Sequence, residues 1–371
     1  MSVLVDGLLP ALTFVFVLGL LVLAHELGHF AVAKRVGILV EEFALGMGPR
    51  LFSVKGRETV YSLRLLPLGG FCKMAGEDAS GGALSAEKLP PAEQERQFGA
   101  KPPGQRALVL AAGPLMNFVL AGLVYALLFI SFGIPVGWVE GAVVGDVSPG
   151  TPAAEAGILP KDRIVKVNGL AVRTWEEMAS IIEQNPGRLV TLEIRRPGRP
   201  GLVHLKVRPE RLPRPDRREG VGFIGVIRQS DEVRRVGALE ALRLGFLQTW
   251  RVLVAMLVGF WQLVVGKMAG PLAGPVGIAR MTGQAARYGF NSVLELTAFL
   301  SINLGVVNLL PVPALDGGRL VFLGIEVVRR RPVNPEREGF IHFLGFALLM
   351  LFLAVVTLKD LERLLFPARW R

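Results

Sequence analysis

Residues 8–30 read LLPALTFVFVLGLLVLAHELGHF, an apolar run that ends on His25-Glu26-Leu27-Gly28-His29. Its apolar character continues to about residue 33, and a helix of that length crosses a bilayer. On a helix His25 and His29 stand at i and i+4, so both imidazoles share a face and can hold one zinc ion. Glu26 lies about 100° round the same helix, within reach of a water on that ion. Ionisable groups are expensive in a spanning helix, and three within five residues point to chemistry. The reading this raises is a zinc protease that works inside the membrane. A secretory signal peptide competes, since Ala31-Val32-Ala33 resembles an A-x-A cleavage site. It fits poorly: Asp6 is the only charge ahead of the run, which is also too long for a signal core. A buried, satisfied histidine pair would still need partners inside the membrane.

Of the 371 residues, 51% are hydrophobic and 20% charged, with a mean hydropathy of +0.46. That is too apolar for an ordinary globular chain and too charged to lie wholly in lipid. It predicts several spanning helices and one folded aqueous domain. The net charge of +11 does not argue for nucleic acid. The Arg-rich stretches Arg195–Arg199 and Arg208–Arg218 fall in or just after the aqueous domain. Arg329-Arg330-Arg331 follows an apolar helix, as a cytoplasmic anchor would. The excess suits anionic lipid headgroups. Cys72 is the only cysteine, which excludes an internal disulfide and a cysteine metal cluster.

Four stretches have spanning length: 8–33, 107–132, 293–315 and 340–358. Lys34-Arg35 after the first, and Lys101 and Arg106 before the second, read as cytoplasmic. Residues 134–240 then lie outside and Arg329–Arg331 inside, so an odd number of crossings separates them. The stretch 293–315 supplies one. A crossing by Ala241–Val265 would break that parity, and it carries Arg243, Gln248, Arg251 and Gln262. It reads as an amphipathic helix on the outer interface. Lys359, Arg363, Arg369 and Arg371 would sit outside, against the charge rule. Between the first two spans, Leu51–Val54 and Thr59–Leu65 read as strands around a turn at Lys55-Gly56-Arg57-Glu58. Gly46, Gly48, Gly69 and Gly70 bracket them. Non-helical backbone reaches membrane depth only where protein or a wet cavity satisfies it. The segment 43–71 is therefore either a re-entrant hairpin beside the metal, offering an open edge at Phe52–Leu65, or an ordinary cytoplasmic hairpin.

Residues 138–229 read as a small α+β domain, with strands near 141–147, 164–167, 189–194 and 203–207. Thr174 caps a helix over 174–185, and Glu177 completes a capping box. Ser148–Gly157 followed by Asp162–Gly169 resembles a PDZ domain. The order of elements, ending on Gly220–Val226, suggests the circularly permuted bacterial type. That last segment is either the carboxylate-binding loop and its strand or a plain tight turn.

A catalytic zinc site takes three protein ligands. His204 falls in the aqueous domain and His342 at the start of the last span. Asp316 is the better third ligand. It stands in Asn308-Leu-Leu-Pro311-Val-Pro313-Ala-Leu-Asp316-Gly317-Gly318, at the inner end of the 293–315 span and at the depth of His25 and His29. The prolines break helix hydrogen bonding and open the chain towards a cavity. Taken alone, Asp316 would be a turn residue before Gly-Gly.

HExxH in the first span with N-x-x-P-x-P-x-L-D-G in a later one resembles the site-2 proteases, intramembrane zinc metalloproteases, and most nearly their bacterial RseP type. Phe43–Pro49, Pro67–Phe71, Gly113-Pro-Leu-Met-Asn117, Ala273–Ala279 and Ser301–Gly305 extend the likeness over nearly the whole chain. The best-studied RseP proteins carry two PDZ domains in tandem, and this chain has room for one. The resemblance implies zinc on His25, His29 and Asp316, with Glu26 activating water. It implies substrate handling at Asn303 and Asn308, the latter holding either the peptide or its oxyanion. It also implies single-span membrane substrates already trimmed by an upstream site-1 protease, among them anti-sigma factors and remnant signal peptides. The expected whole is a multi-pass α-helical protein of the bacterial plasma membrane, with four spanning helices and a re-entrant β-hairpin. An extracytoplasmic PDZ domain is inserted, an interfacial helix follows, and the active site faces the cytoplasm. Its parts are 1–133, 138–229, 237–268 and 293–371. A zinc-holding PDZ adaptor without protease activity is the alternative; an intact Glu26 argues against it. A transporter would need inverted repeats that the sequence lacks.

Overall fold

The computed structural model describes residues 2–77, 91–148, 151–214, 217–230, 232–265, 274–331 and 333–365. Pro149, Gly150, the end of the 237–268 segment, Ala273, Arg369 and Arg371 lie outside them. The first third holds α1 (Ser2–Arg35), β1 (Val40–Lys55), β2 (Val60–Met74), α2 (Pro91–Gln94) and α3 (Pro103–Phe132). The middle third holds β3 (Ile134–Val136), β4 (Ala142–Val147), α4 (Pro152–Glu155), β5 (Arg163–Val167), β6 (Leu170–Ala171) and α5 (Trp175–Glu183). It continues with β7 (Val190–Arg195), β8 (Leu202–Val207), β9 (Glu210–Arg214), β10 (Arg217–Phe223), β11 (Val226–Arg228) and β12 (Glu232–Arg234). The last third is helical: α6 (Ala238–Val264), α7 (Pro275–Tyr288), α8 (Phe290–Leu309), α9 (Asp316–Arg329) and α10 (Pro335–Leu365). Among the described residues five helices are long and apolar enough to cross a membrane: the four expected stretches and Ala238–Gln262 of α6. This is a multi-pass membrane protein.

Small residues bring the helices together, as lipid-embedded packing requires. A Cβ on Gly28 of α1 would fall 2.2 Å from Ala112 O of α3, and one on Gly305 of α8 would fall 3.0 Å from Pro114 O. Leu21 of α1 packs with Leu120 and Leu300, and Leu128 of α3 packs with Leu294 of α8. Both α1 and α8 therefore run antiparallel to α3. The chain leaves α3 and enters α8 at the same end of the bundle.

The excursion between those two points is α6 and α7. Arg235 Nη1 donates to Ser131 O at the end of α3. Gly245 then beds on α3, where its Cβ would fall 2.3 Å from Gly122 O. Val252, Leu253 and Met256 continue down the same cluster, with Ala121 and Ala298. The helix expected on the interface touches α3 and α8 along one side, where Gly122, Gly245 and Ala126 let two backbones meet.

The 293–315 span also differs from expectation. Its helix stops at Leu309, since Pro311 and Pro313 lack the donors to continue it. Leu310–Leu315 becomes a loop, and Asp316 opens α9.

The hairpin is more than two strands. Lys55 pairs with Val60 across the expected turn, where Gly56 N donates to Thr59 O at 2.9 Å. Phe43 pairs with both Tyr61 and Cys72, and Leu45 with both Leu63 and Gly70. Both strands bend, and four segments lie in the order 70–74, 40–45, 60–64, 50–55. The expected edge at Phe52–Leu65 is half covered, because 60–63 has neighbours on both sides. The remaining edges are 70–74 and 50–55. Glu42 pins the bends: it accepts from Ser62 Oγ at 2.6 Å, Arg64 Nη2 at 2.8 Å and Arg50 Nη2 at 2.5 Å.

In the middle third a six-stranded sheet runs β11-β4-β5-β7-β8, with β6 on β5. Met178 and Ile182 of α5 close its core over Val144, Ile164, Leu192 and Ile194. Thr174 caps α5, accepting from Glu177 N at 3.1 Å, as its sequence predicts. Asp162, fully buried, accepts from Leu159 N at 2.9 Å and from Arg196 Nε and Nη2 at 2.8 and 2.7 Å.

Candidate metal centre

His25 and His29 face α3 and α9 from the C-terminal half of α1. His25 Nε2 lies 3.2 Å from Asp316 Oδ2, and His29 Nε2 lies 3.5 Å from the same oxygen. The two Nε2 atoms are 3.2 Å apart. One donor atom from each residue falls within 4.8 Å of the others. Two imidazoles and a carboxylate are a donor set that zinc takes in hydrolases. Chain connectivity brings Asp316 here by three steps. Pro311 and Pro313 end α8, the loop turns, and Gly317 and Gly318 let α9 start directly beneath it. A Cβ on Gly317 would fall 2.2 Å from Leu310 O, and one on Gly318 2.4 Å from Val312 O.

The back of each ring is held. His29 Nδ1 donates to Val109 O at 2.8 Å. The Asn117 carboxamide lies 3.1 Å from His25 Nδ1 and is wholly buried. The nearest amide atom is Nδ2; with a metal on both Nε2 atoms each Nδ1 would carry the proton, and the amide would then turn its oxygen to His25. Such outer partners set ring orientation and tautomer. Ser301 Oγ donates to Asn117 O at 2.7 Å, tying α8 to this point of α3. Gly113 lies under the His29 ring, where a Cβ would be 2.2 Å from Nε2.

Glu26 is half-buried on the same turn of α1. The 70–74 edge passes beside it: a Cβ on Gly70 would fall 3.2 Å from Glu26 Cγ. Asn303 is exposed on α8 and Asn308 half-buried near its end. Neither makes a hydrogen bond to His25, Glu26, His29 or Asp316 among the described residues. His204 pairs with Glu193 across β7 and β8, far from the centre in the fold. His342 Nδ1 accepts from Ala314 N at 2.9 Å, two residues before Asp316. Sequence reading passed over Val109 and undervalued Asn117 and His342. Asn117 stood in a quoted motif, and an amide four residues after a buried glycine was the available signal. A backbone carbonyl leaves no signal.

The family model for peptidase family M50 matches residues 13–352. The chain is 35% identical to the regulator of sigma-W protease RasP of Bacillus subtilis (strain 168), over 95% of this chain and 98% of that protein. It is 36% identical to the zinc metalloprotease RasP of Geobacillus kaustophilus (strain HTA426), over 97% and 99%. Among solved structures it matches the PDZ domain of an SdrC-like protein from Listeria monocytogenes at 19% identity, covering 26% of this chain and 93% of that one, with a TM-score of 0.20. With a family match over most of its length and relatives of this similarity, the chain belongs to peptidase family M50, as an intramembrane zinc metalloprotease.

Proposed function

We propose that His25, His29 and Asp316 are the zinc ligands, that Glu26 is the general base, and that the chain cuts peptide bonds within transmembrane segments. The observation that carries this is the meeting of HExxH with Asp316, almost 300 residues later, within 4.8 Å. Zinc, when bound, supplies an acidified water and polarises the scissile carbonyl. Glu26 accepts the water's proton. Val109 O and Asn117 keep the two imidazoles aimed while this happens. Asn308, near the end of α8, holds the peptide or its oxyanion, and Asn303 assists substrate handling on the same helix.

A helical substrate hides its carbonyls in its own hydrogen bonds and must unwind. We assign its pairing partner to the 70–74 edge, by strand addition beside Glu26. This moves the pairing site from the Phe52–Leu65 edge expected from sequence. Four helices, α1, α3, α8 and α10, cross the bilayer, with the metal centre towards the cytoplasm and the 138–229 domain outside. The excursion through α6 and α7 starts and ends at one end of the bundle, which supports the parity argued from the Lys and Arg clusters. The outer domain is of PDZ type and acts as a size filter. Substrates are then single-span proteins of the plasma membrane already trimmed by a site-1 protease, including anti-sigma factors and remnant signal peptides. The name of the Bacillus subtilis relative supports the sigma-factor branch.

The test is cleavage of a single-span reporter by the purified full-length chain in detergent, wild type beside Glu26→Gln, with zinc measured on both. Cleavage should be lost while zinc stays bound. Cleavage that survives in Glu26→Gln removes Glu26 from its role.

A further inference from the structure

The loop that delivers Asp316 is held by α10. Within Leu310–Leu315, Ala314 has φ +77°, a left-handed conformation that side chains other than glycine rarely adopt and that persists only where the surroundings impose it. It is the third residue of a turn closed within the loop, where Leu315 N donates to Val312 O at 3.2 Å, and two contacts from α10 hold that turn in place. Ala314 N–H donates to His342 Nδ1 at 2.9 Å. Gly345 lies flat on the neighbouring residue: its Cβ would fall 2.3 Å from Pro313 Cβ and 2.7 Å from Pro313 O. The His342 ring is backed by Phe322 of α9, with centroids 5.2 Å apart. One ring thus ties α10, the loop, and the helix that Asp316 begins.

Because Nδ1 accepts, the neutral ring carries its proton on Nε2. That atom is buried, has no hydrogen-bond partner among the described residues, and lies 4.0 Å from Glu338 Oε1. The ring lines a cavity shared with Glu77, Arg106, Arg319, Glu326 and Glu338, and its one hydrogen bond among the described residues is the one to Ala314. The arrangement makes sense if the bond to Ala314 is the reason for the histidine.

We propose that His342 is a positioning residue for the metal centre: through Ala314 N–H it locks the left-handed turn that sets Asp316 against His25 and His29. The inference rests on the zinc reading above and brings a further helix into the support of the site.

Full-length His342→Asn, His342→Gln and His342→Leu would be purified in detergent beside wild type and Asp316→Ala. Zinc affinity is read by competition with a chromogenic chelator, and kcat and KM separately on a single-span reporter. The asparagine amide oxygen occupies the place of Nδ1, whereas the glutamine amide reaches the place of Nε2. Zinc affinity and kcat should stay within about threefold of wild type in His342→Asn and fall at least about tenfold in His342→Gln and His342→Leu, with KM unmoved. Wild-type zinc affinity in His342→Gln overturns the proposal. So does an asparagine variant that falls as far as the leucine one. Should His342→Leu not fold, the asparagine and glutamine variants decide alone. Asp316→Ala separates the two levels: unchanged zinc affinity there sinks the ligand reading. Loss there with none in His342→Gln sinks only the clamp.

Discussion

Gly113→Ala adds one methyl group to α3 and should destroy the metal centre without unfolding the protein. The added carbon would lie 2.2 Å from His29 Nε2, 2.6 Å from Cε1 and 2.8 Å from Cδ2. Ordinary contact begins at 3.4 Å, so Nε2 must retreat by 1.2 Å (3.4 − 2.2). Metal–ligand distances tolerate about 0.2 Å. The ring has little freedom to comply, since Val109 O holds Nδ1 at 2.8 Å. Moving α3 instead would carry Asn117 away from His25 and part the seat of Gly28 on Ala112. The overpacking itself costs about 1–3 kcal/mol, which a bundle of this size withstands. Zinc affinity should therefore fall about 100-fold or more, and cleavage with it, while the zinc-free protein melts within a few degrees of wild type. The assays are chelator competition, reporter cleavage and thermal unfolding of the full chain with and without zinc. Gly104→Ala on the same helix is the control, because nothing lies within 4 Å of its added carbon. Zinc affinity and turnover in Gly113→Ala within about twofold of wild type, against the 100-fold expected, would refute the geometry.

Other perturbations follow the same physics. Stripping the metal with a chelator should abolish cleavage and leave the helical bundle folded, and zinc should restore it. Arg196→Met leaves Asp162 buried and unpaired in the middle domain and should destabilise it by about 3 kcal/mol, read by thermal unfolding. That is the low end for a broken buried pair, since Arg196 is 20% exposed. Replacing Asp162 by leucine in the same chain should recover part of the loss. Gly245→Val pushes a side chain into Gly122 O and should separate α6 from α3, lowering the melting temperature, whereas Gly259→Val, with nothing within 4 Å, should not. In the β1–β2 sheet, burial alone would raise the Glu42 carboxyl. Hydrogen bonds from Arg50, Ser62 and Arg64, with the Arg64 charge, overcome it and hold the group down to about 2. A lowered pKa adds stability that is complete above the usual carboxylate range and is lost as pH falls through it towards 2. Protection of the amides within residues 40–74, corrected for the intrinsic exchange rate at each pH, should therefore fall below about pH 4.5, and Glu42→Gln should remove that acid step. An acid step of the same size in Glu42→Gln would assign it to another group.

Much of this architecture is legible without coordinates because its signals are local. A helix forced by apolar length must place His25 and His29 on one face, whatever surrounds it. Capping of α5 by Thr174 needs only residues three apart. The β-hairpin turn at 55–58 and the strands of the middle domain follow from alternation and turn chemistry. Where expectation and structure part, the cause is a contact between distant segments. The 293–315 stretch is apolar throughout, yet its helix ends at Leu309 because two prolines cannot donate. The hairpin is a bent four-segment sheet because Glu42 gathers Arg50, Ser62 and Arg64, and no periodicity announces such a node. The α6 segment was read from its charges, while its seat on α3 depends on Gly122 and Gly245 meeting across more than a hundred residues.

Sequence alone determined the membrane character and the helical pairing of two imidazoles with a carboxylate, and it offered Asp316 as the candidate acid to complete the set. The first two need only helix periodicity, bilayer thickness and the cost of charge in lipid; Asp316 came from its proline-rich motif and from the family resemblance. Tertiary structure alone decided what stands behind His25, His29 and Asp316. Val109 O, the Asn117 amide and the His342 bond to Ala314 act through single atoms at 2.8, 3.1 and 2.9 Å. Hydrogen bonds and van der Waals contacts fade within an ångström or so, so their partners are set by how the helices cross. No spacing along the chain encodes that crossing.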